Sequence, residues 1–466
     1  MKRREFLKTS AALAAMAGSA DLLNARELFA PSAENGAGDV PPASGSLIAS
    51  APLLQNFAPD SMGVVFAVSD LANGYVLLSR DAGMAGAKKV KCGGFRTTDI
   101  DDRVCRIRLT GLEPDTQYYY RIGADRISYG GGYKMKVIGG EEDPRIYGFR
   151  TAGASGEAHF CVINDTHAKW DPFGRAIEKI AAISPSFVIW NGDASNTEET
   201  VEAQMRIFLN PEIARKDYGC CTPFLFCPGN HDQRGMANRH LERVWMFRQP
   251  EERSSRDWDL GRNFAVRQGD VALIGLDTGE DKLDGNPRFA GLFNNEAYRV
   301  AQTAWLRDVL RRKEIKKAPF LVAFCHIPLF DPDPAANPGD LAPADTAPGF
   351  KKDYAAWQRS CANMWGPLLS RAGCQLVITG HQHRYRFDEP QSGRTWAQIV
   401  GGGPTLDPSK EAALFPTVIE GEVKRGKLEV TVHNLRTGKV QAVHSFSRRK
   451  ILGHGGFQPG PAVDTE

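Results

Sequence analysis

The sequence predicts an α/β domain preceded by an all-β sandwich. Three observations carry the prediction. Before residue 151 the chain shows short strand-like runs separated by glycine-rich turns, with no helical periodicity. From His159 onward, apolar runs alternate with helical stretches. Several of those later runs end in a tight turn that carries Asp, Asn or His.

In the first region the candidate strands are Gly63–Val68, Tyr75–Leu78, Val104–Leu109, Tyr118–Ile122 and Tyr147–Arg150. They suit an antiparallel sandwich over residues 51–151. In the second, strands are expected at Phe160–Ile163, Phe187–Trp190, Phe224–Cys227, Val271–Leu276, Phe320–Phe324 and Leu376–Thr379. Strands this apolar are covered on both faces, so helices must flank the sheet. Helices are expected at Phe173–Ile183, Glu198–Leu209, Asn295–Lys313 and Tyr354–Ala372. Within Glu296–Arg312, Ala297, Val300, Ala304, Leu306 and Leu310 recur at mostly three- and four-residue spacings, which predicts that they form the buried face. Tail strands are expected at Thr417–Glu422, Lys427–Asn434 and Lys439–Ser447. The α/β domain therefore spans 158–448, with a tail at 449–466. The proline-rich segment Asp331–Phe350 reads as a lid or a plain surface excursion.

The chain has 466 residues, 42% hydrophobic and 24% charged, enough for two or three domains around a large core. Residues 1–25 open with Lys2-Arg3-Arg4-Glu5-Phe6-Leu7-Lys8 and continue into an Ala-rich stretch. That segment resembles a bacterial twin-arginine signal, which implies the twin-arginine export machinery as a partner and a periplasmic or extracellular location. Residues 26–50, rich in Pro, Gly, Ser and Ala over 31–46, read as a linker. The leader carries four cations and two anions, so the formal net charge falls from +3 to +1 without it (3 − 2 = 1). Nothing there predicts a nucleic-acid or membrane-surface partner, and no run has the length of a transmembrane helix. Of nine cysteines, Cys92 with Cys105, or two of Cys220, Cys221 and Cys227, can pair, while buried thiols are the blander reading.

The chemistry concentrates in five segments: Asp165-Thr166-His167, Gly192-Asp193, Gly229-Asn230-His231-Asp232, His326, and Gly380-His381-Gln382-His383. Each follows an apolar run, at the strand edge where α/β sheets collect ligands. Two first-row metals held close together need a bridging carboxylate within a shell of imidazole and oxygen donors. These segments supply Asp165, Asp193, Asn230, His167, His326, His381 and His383. A single His or Gly-Asp after a strand is usually structural, but five of the chain's ten histidines fall in these segments, so the set is read jointly as a metal site.

The order Asp-x-His, Gly-Asp, Gly-Asn-His-Asp, His, Gly-His-x-His resembles the calcineurin-like metallophosphoesterase superfamily over about residues 158–385. The resemblance implies a four-layer α/β sandwich with two transition-metal ions (Fe, Mn or Zn) at its C-terminal strand edge. By motif position, Asp165, His167 and His383 would bind one metal. Asn230, His326 and His381 would bind the other, and Asp193 would bridge. His231 would act on the substrate, with Asp232 orienting its imidazole. The implied mechanism is in-line attack of a metal-bridging hydroxide on a small-molecule phosphoester, most simply a phosphomonoester. A phosphodiesterase and a non-catalytic cell-surface binding module with the same fold are the alternatives.

The run Leu112-Glu113-Pro114-Asp115-Thr116-Gln117-Tyr118 resembles the strand corner of fibronectin type III domains. Such a domain ahead of this core resembles purple acid phosphatases. That subgroup has Gly at the position of His167 and a ligand Tyr at the position of Asn196, so the metal shell here is expected to differ from theirs. Arg234, Arg384 and Tyr385 follow the motifs and read as ordinary surface residues.

Overall fold

The computed structural model describes residues 45–94, 103–154, 156–247, 258–332 and 348–449. The leader, most of the linker, residues 333–347 of the proline-rich segment and nearly all of the tail lie outside them. Apart from Tyr129 and Met135 at two strand ends, the sheets and sites described below belong to one compact unit, drawn from the described residues within 45–128 and 136–449.

The strands before residue 151 are β1 (Leu53–Ala58), β2 (Ser61–Ala67), β3 (Ala72–Ser79), β4 (Lys88–Lys91), β5 (Val104–Thr110), β6 (Gln117–Tyr129), β7 (Met135–Glu142) and β8 (Tyr147–Arg150). They are followed by β9 (His159–Ile163), β10 (Phe187–Asn191), β11 (Phe224–Cys227), β12 (Phe264–Gln268), β13 (Val271–Leu276), β14 (Phe320–Cys325) and β15 (Leu376–Thr379). The last are β16 (Arg386–Asp388), β17 (Ala397–Val400), β18 (Thr417–Lys424), β19 (Lys427–Asn434) and β20 (Lys439–Ser447). The helices are α1 (Trp170–Ile183), α2 (Val201–Phe208), α3 (Asn295–Val309), α4 (Lys313–Lys317) and α5 (Pro348–Arg371).

Two mixed sheets form the α/β core. One runs β12-β13-β14-β15-β17-β16, with β13, β14, β15 and β17 parallel. The other has nine strands, β20-β19-β18-β9-β10-β11-β1-β2-β5, with β9, β10 and β11 parallel. The inner faces of the two sheets meet through Phe160, Val162, Ile189 and Leu225 against Leu273, Val322, Phe324 and Ile378. Outside the nine-stranded sheet lie Phe173, Ala176, Ile177 and Ile180 of α1 and Ile207 and Phe208 of α2. Outside the other lie Leu306 and Val309 of α3 and Trp357, Trp365 and Leu369 of α5. The layers are thus helix, sheet, sheet, helix, because each central strand is apolar on both faces.

The boundary drawn near residue 151 does not interrupt the larger sheet. β1, which lacks a clear strand signature, pairs in parallel with β11, Gln55 opposite Phe224, and antiparallel with β2. The buried Gln55 amide donates to the Val244 carbonyl and accepts from the Met246 N–H, fixing the 244–246 loop to this strand. The remaining N-terminal strands form a separate sheet, β4-β3-β6-β7 with β8 on β6.

The helix expected over Asn295–Lys313 is α3, which ends four residues earlier at Val309, and most of the residues it buries are not the apolar ones of that spacing. Val300 is 62% exposed, and Ala297 and Ala304 are also exposed. The buried residues are Asn295, Arg299, Gln302, Thr303, Leu306 and Val309. A mostly polar face is buried because it has carbonyls to satisfy. Arg299 donates to the Thr278 and Glu280 carbonyls, and Gln302 to the Asp277 carbonyl. Cys92 Sγ hydrogen-bonds with the backbone of Arg106 on β5, and among the other cysteines Cys227 Sγ donates to the Leu276 carbonyl.

Candidate metal centre

Every sequence-predicted site residue lies just past the C-terminal end of a parallel strand. Asp165 and His167 follow β9, Asp193 follows β10, Asn230 and His231 follow β11, His326 follows β14, and His381 and His383 follow β15. The loops brace one another across the two sheets. Asp165 N–H donates to the Gly192 carbonyl, His167 N–H to Asp193, and Gly380 N–H to His326. Asn191 Nδ2 reaches the Cys325 and Ile378 carbonyls, joining β10 to β14 and β15 at this edge.

The turns are strained. Asp165, His167, Asp193, His381 and His383 all have φ between 47° and 71°. Left-handed backbone is costly for residues with a Cβ, and such outliers persist only where surrounding structure enforces them. Gly192 (φ +85°) and Gly229 make room for the side chains: a Cβ at either would come within 2.3 Å of His326 Nδ1 or Asp193 Oδ1.

The donors fall into two groups that share Asp193. In the first, His167 Nε2 lies 2.9 Å from His383 Nε2, and Asp165 Oδ1 lies 3.3 Å from His383 Nε2 and 3.8 Å from His167 Nε2. In the second, Asp193 Oδ2 is 3.0 Å from His326 Nε2, and Asn230 Oδ1 is 3.0 Å from His381 Nδ1. Asp193 Oδ2 is also 3.6 Å from His167 Nε2, which puts one carboxylate oxygen beside both groups. Burial alone would raise the Asp193 carboxyl, yet the surrounding histidines, His326 foremost, hold it well below the usual carboxylate range.

The imidazoles are aimed by their other nitrogens. His326 Nδ1 donates to the Asn191 carbonyl, which turns the buried Nε2 toward Asp193 Oδ2, 3.0 Å away. His167 Nδ1 pairs with Asn196 Oδ1 at 2.8 Å, while Asn196 Nδ2 donates to the His167 carbonyl. His381 Nε2 stands 3.6 Å from Asp281 Oδ2. The hydrogen bonds on His326 Nδ1 and His167 Nδ1 are of the kind that fix the tautomer of a metal-binding imidazole. The carboxylates, imidazoles and amide oxygen gathered here are a donor set that suits divalent first-row metals.

His231 sits next to this set. One of its ring nitrogens lies within 4.8 Å of donor atoms of His167 and Asp193, and its ring meets that of His167 edge-on at 4.9 Å. Asp232 does not orient it. The Asp232 carboxylate accepts from the Ser195 N–H and hydroxyl and from the Gly229 N–H, so it ties the loop after β11 to the loop after β10. Burial and the nearby Asp193 push that carboxyl up to about 7. The group that holds the imidazole is Arg234, whose Nη1 lies 3.0 Å from His231 Nε2. A guanidinium only donates, so Nε2 accepts and the proton of the neutral ring sits on Nδ1, which is buried with no partner in the protein. Burial drives this imidazole down to about 4, more than Asp193 restores, so it stays neutral.

Arg234 is itself anchored. It donates from Nε and Nη2 to the two oxygens of Glu280, both at 2.8 Å, and Nη2 reaches Asp281 Oδ1 at 3.3 Å. Lys282 Nζ donates to Asp281 Oδ1 at 2.7 Å. Glu280, Asp281 and Lys282 are buried, and with Arg234 they form a charge-balanced cluster beside His231. None of these three was picked out from the sequence, although a charged Gly279-Glu280-Asp281-Lys282 run after an apolar strand was the available signal. Arg384, by contrast, pairs with Glu411 at the surface, and Tyr385 hydroxyl pairs with His444.

Residues 158–385 match the family model of the calcineurin-like phosphoesterases. They form a calcineurin-like metallophosphoesterase domain. The fold of the chain is shared with solved structures of low identity. Purple acid phosphatase PPD1 from yellow lupin (Lupinus luteus) seeds is 14% identical, with a TM-score of 0.58 over 86% of this chain and 75% of that one. PhoD is 13% identical, with a TM-score of 0.54 over 88% of this chain and 95% of that one. Among the described residues, no helix is long and apolar enough to cross a membrane.

Proposed function

We propose that this protein is an exported, binuclear metal-dependent phosphoesterase acting on small phosphomonoesters. The observation that carries the reading is the pair of donor groups sharing Asp193, with the neutral His231 imidazole beside them. Asp165, His167 and His383 would hold one metal, Asn230, His326 and His381 the other, with Asp193 between. When bound, the metals would supply a water-derived nucleophile at neutral pH and neutralise phosphoryl charge. The Nδ1–H of His231 would hydrogen-bond to the phosphoryl or leaving oxygen. Arg234 keeps that proton on Nδ1, and Asp232 holds the His231 loop against Ser195. The leader over residues 1–25 and the match to phosphatase folds support export and phosphoester hydrolysis.

The test is hydrolysis of chromogenic mono- and diesters by the full chain, with and without chelator, followed by addition of Mn²⁺ or Zn²⁺. Chelator-sensitive monoester turnover that metal restores is expected. Asp193→Ala should lose the two metals of this centre by elemental analysis, and its activity should fall to background. Faster diester than monoester turnover would move the assignment to a phosphodiesterase. Full metal occupancy without turnover on either would move it to a binding module.

A further inference from the structure

A second group of metal-type donors lies at the other end of β9, about 20 Å along the chain direction from Asp165 at the usual strand rise. His159 opens β9, and Glu422 on β18 is directly opposite it in the antiparallel register. Glu420 lies two residues along β18, on the same face. His433 on β19 is paired with Val418, two residues further on, so it shares that face as well. Three neighbouring strands thus bring two imidazoles and two carboxylates together at half-buried positions.

The donor geometry is that of a small cation site. His159 Nε2 is 2.9 Å from Glu420 Oε1 and 4.0 Å from Glu422 Oε2, and the three donor atoms lie within 4.8 Å of one another. Ligands at ~2.1 Å around a tetrahedral metal are about 3.4 Å apart, between those two separations. The other Glu420 oxygen is engaged by His433 Nε2 at 2.8 Å, which orients the carboxylate in the way that second partners of metal ligands do. The imidazoles hold Glu420 below the usual carboxylate range against the effect of burial. Burial, with help from Lys179, holds the His433 imidazole below its usual range. Lys424 contacts Glu422 through an exposed, long side chain that can swing away.

We propose that His159, Glu420 and Glu422 form a third metal site, taking a divalent first-row ion such as Zn²⁺, with His433 holding Glu420 in place. One nitrogen and two oxygen donors suit such an ion. The site clips β9 to β18 and leaves a coordination position for water. It is separate from the centre at the opposite strand edge, so its role is to brace the sheet rather than to turn over substrate.

The test uses the full chain equilibrated with Zn²⁺, freed of excess metal and counted by elemental analysis. Wild type should hold one Zn²⁺ per chain more than Glu420→Gln or His159→Asn. Asp193→Ala should still hold one, and Zn²⁺ should raise its melting temperature but not that of Asp193→Ala/His159→Asn. Equal zinc in wild type and both single variants, or no zinc in Asp193→Ala, would overturn the proposal. Melting curves of the metal-stripped variants establish that each is folded before counting.

Discussion

Two kinds of loop surround His231 and are built in opposite ways. The loops after β9, β10 and β15 place their donors by local means: an apolar strand, a tight turn and a residue forced into left-handed backbone. The loop after β13, residues 277–282, places Glu280 and Asp281 by remote means. It is held by Arg299 and Gln302 of α3, and it reaches His231 only through Arg234. The first kind is written in short motifs and the second in a side-chain network. The comparison teaches that donor positions can be read locally, whereas the group that aims a donor is often far away in sequence.

The comparison can be broken at several points, in order of expected effect. His231→Gln should keep its metals and lose roughly 10²–10⁴ in kcat, as removal of a proton-donating side chain does. A parallel fall in metal content, measured on the same sample, would place His231 among the ligands instead. Arg234→Met should lower kcat by about 10–100-fold with metal content unchanged, since it removes the support of His231 and not a ligand. Asp232→Asn should act differently, by loosening the loops at Ser195 and Gly229, so its first effect should be on the melting temperature. If Arg234→Met were silent and Asp232→Asn abolished turnover with an unchanged melting temperature, the orientation would belong to Asp232 after all.

Asn196→Ala sharpens the contrast on the other side of the site. It should weaken metal retention against chelator by about 10–100-fold, because His167 loses the partner on Nδ1. The smallest effects lie on α3. Arg299→Leu leaves the Thr278 and Glu280 carbonyls unpaired, at about 1–3 kcal/mol for each buried group. Val300→Lys, on the same helix, should change stability by less than about 0.5 kcal/mol. Denaturant melts of the two distinguish a polar buried face from the apolar face that spacing alone predicts.

His167 and Asn196 give the clearest case of sequence and structure informing each other. Each departs from the purple acid phosphatase pattern, where glycine and tyrosine stand. In the folded chain the two departures touch, with the Asn196 amide bonded to both the imidazole and the carbonyl of His167. The sequence shows two substitutions, 29 residues apart, and the fold makes them one unit.

By itself, the sequence determined the central strands and the donors after them. Apolar runs, glycines and His/Asp turns act within a few residues, so their pattern survives in one dimension. It also determined that the donors form one set, because their order along the chain is the order of the strands that carry them. Only the tertiary structure decided that β1 extends the central sheet, that α3 buries a polar face, and that Arg234 rather than Asp232 holds His231. Those outcomes depend on hydrogen bonds between groups far apart in sequence. A buried polar group goes wherever a partner is found, and nothing in its immediate neighbours says where that is.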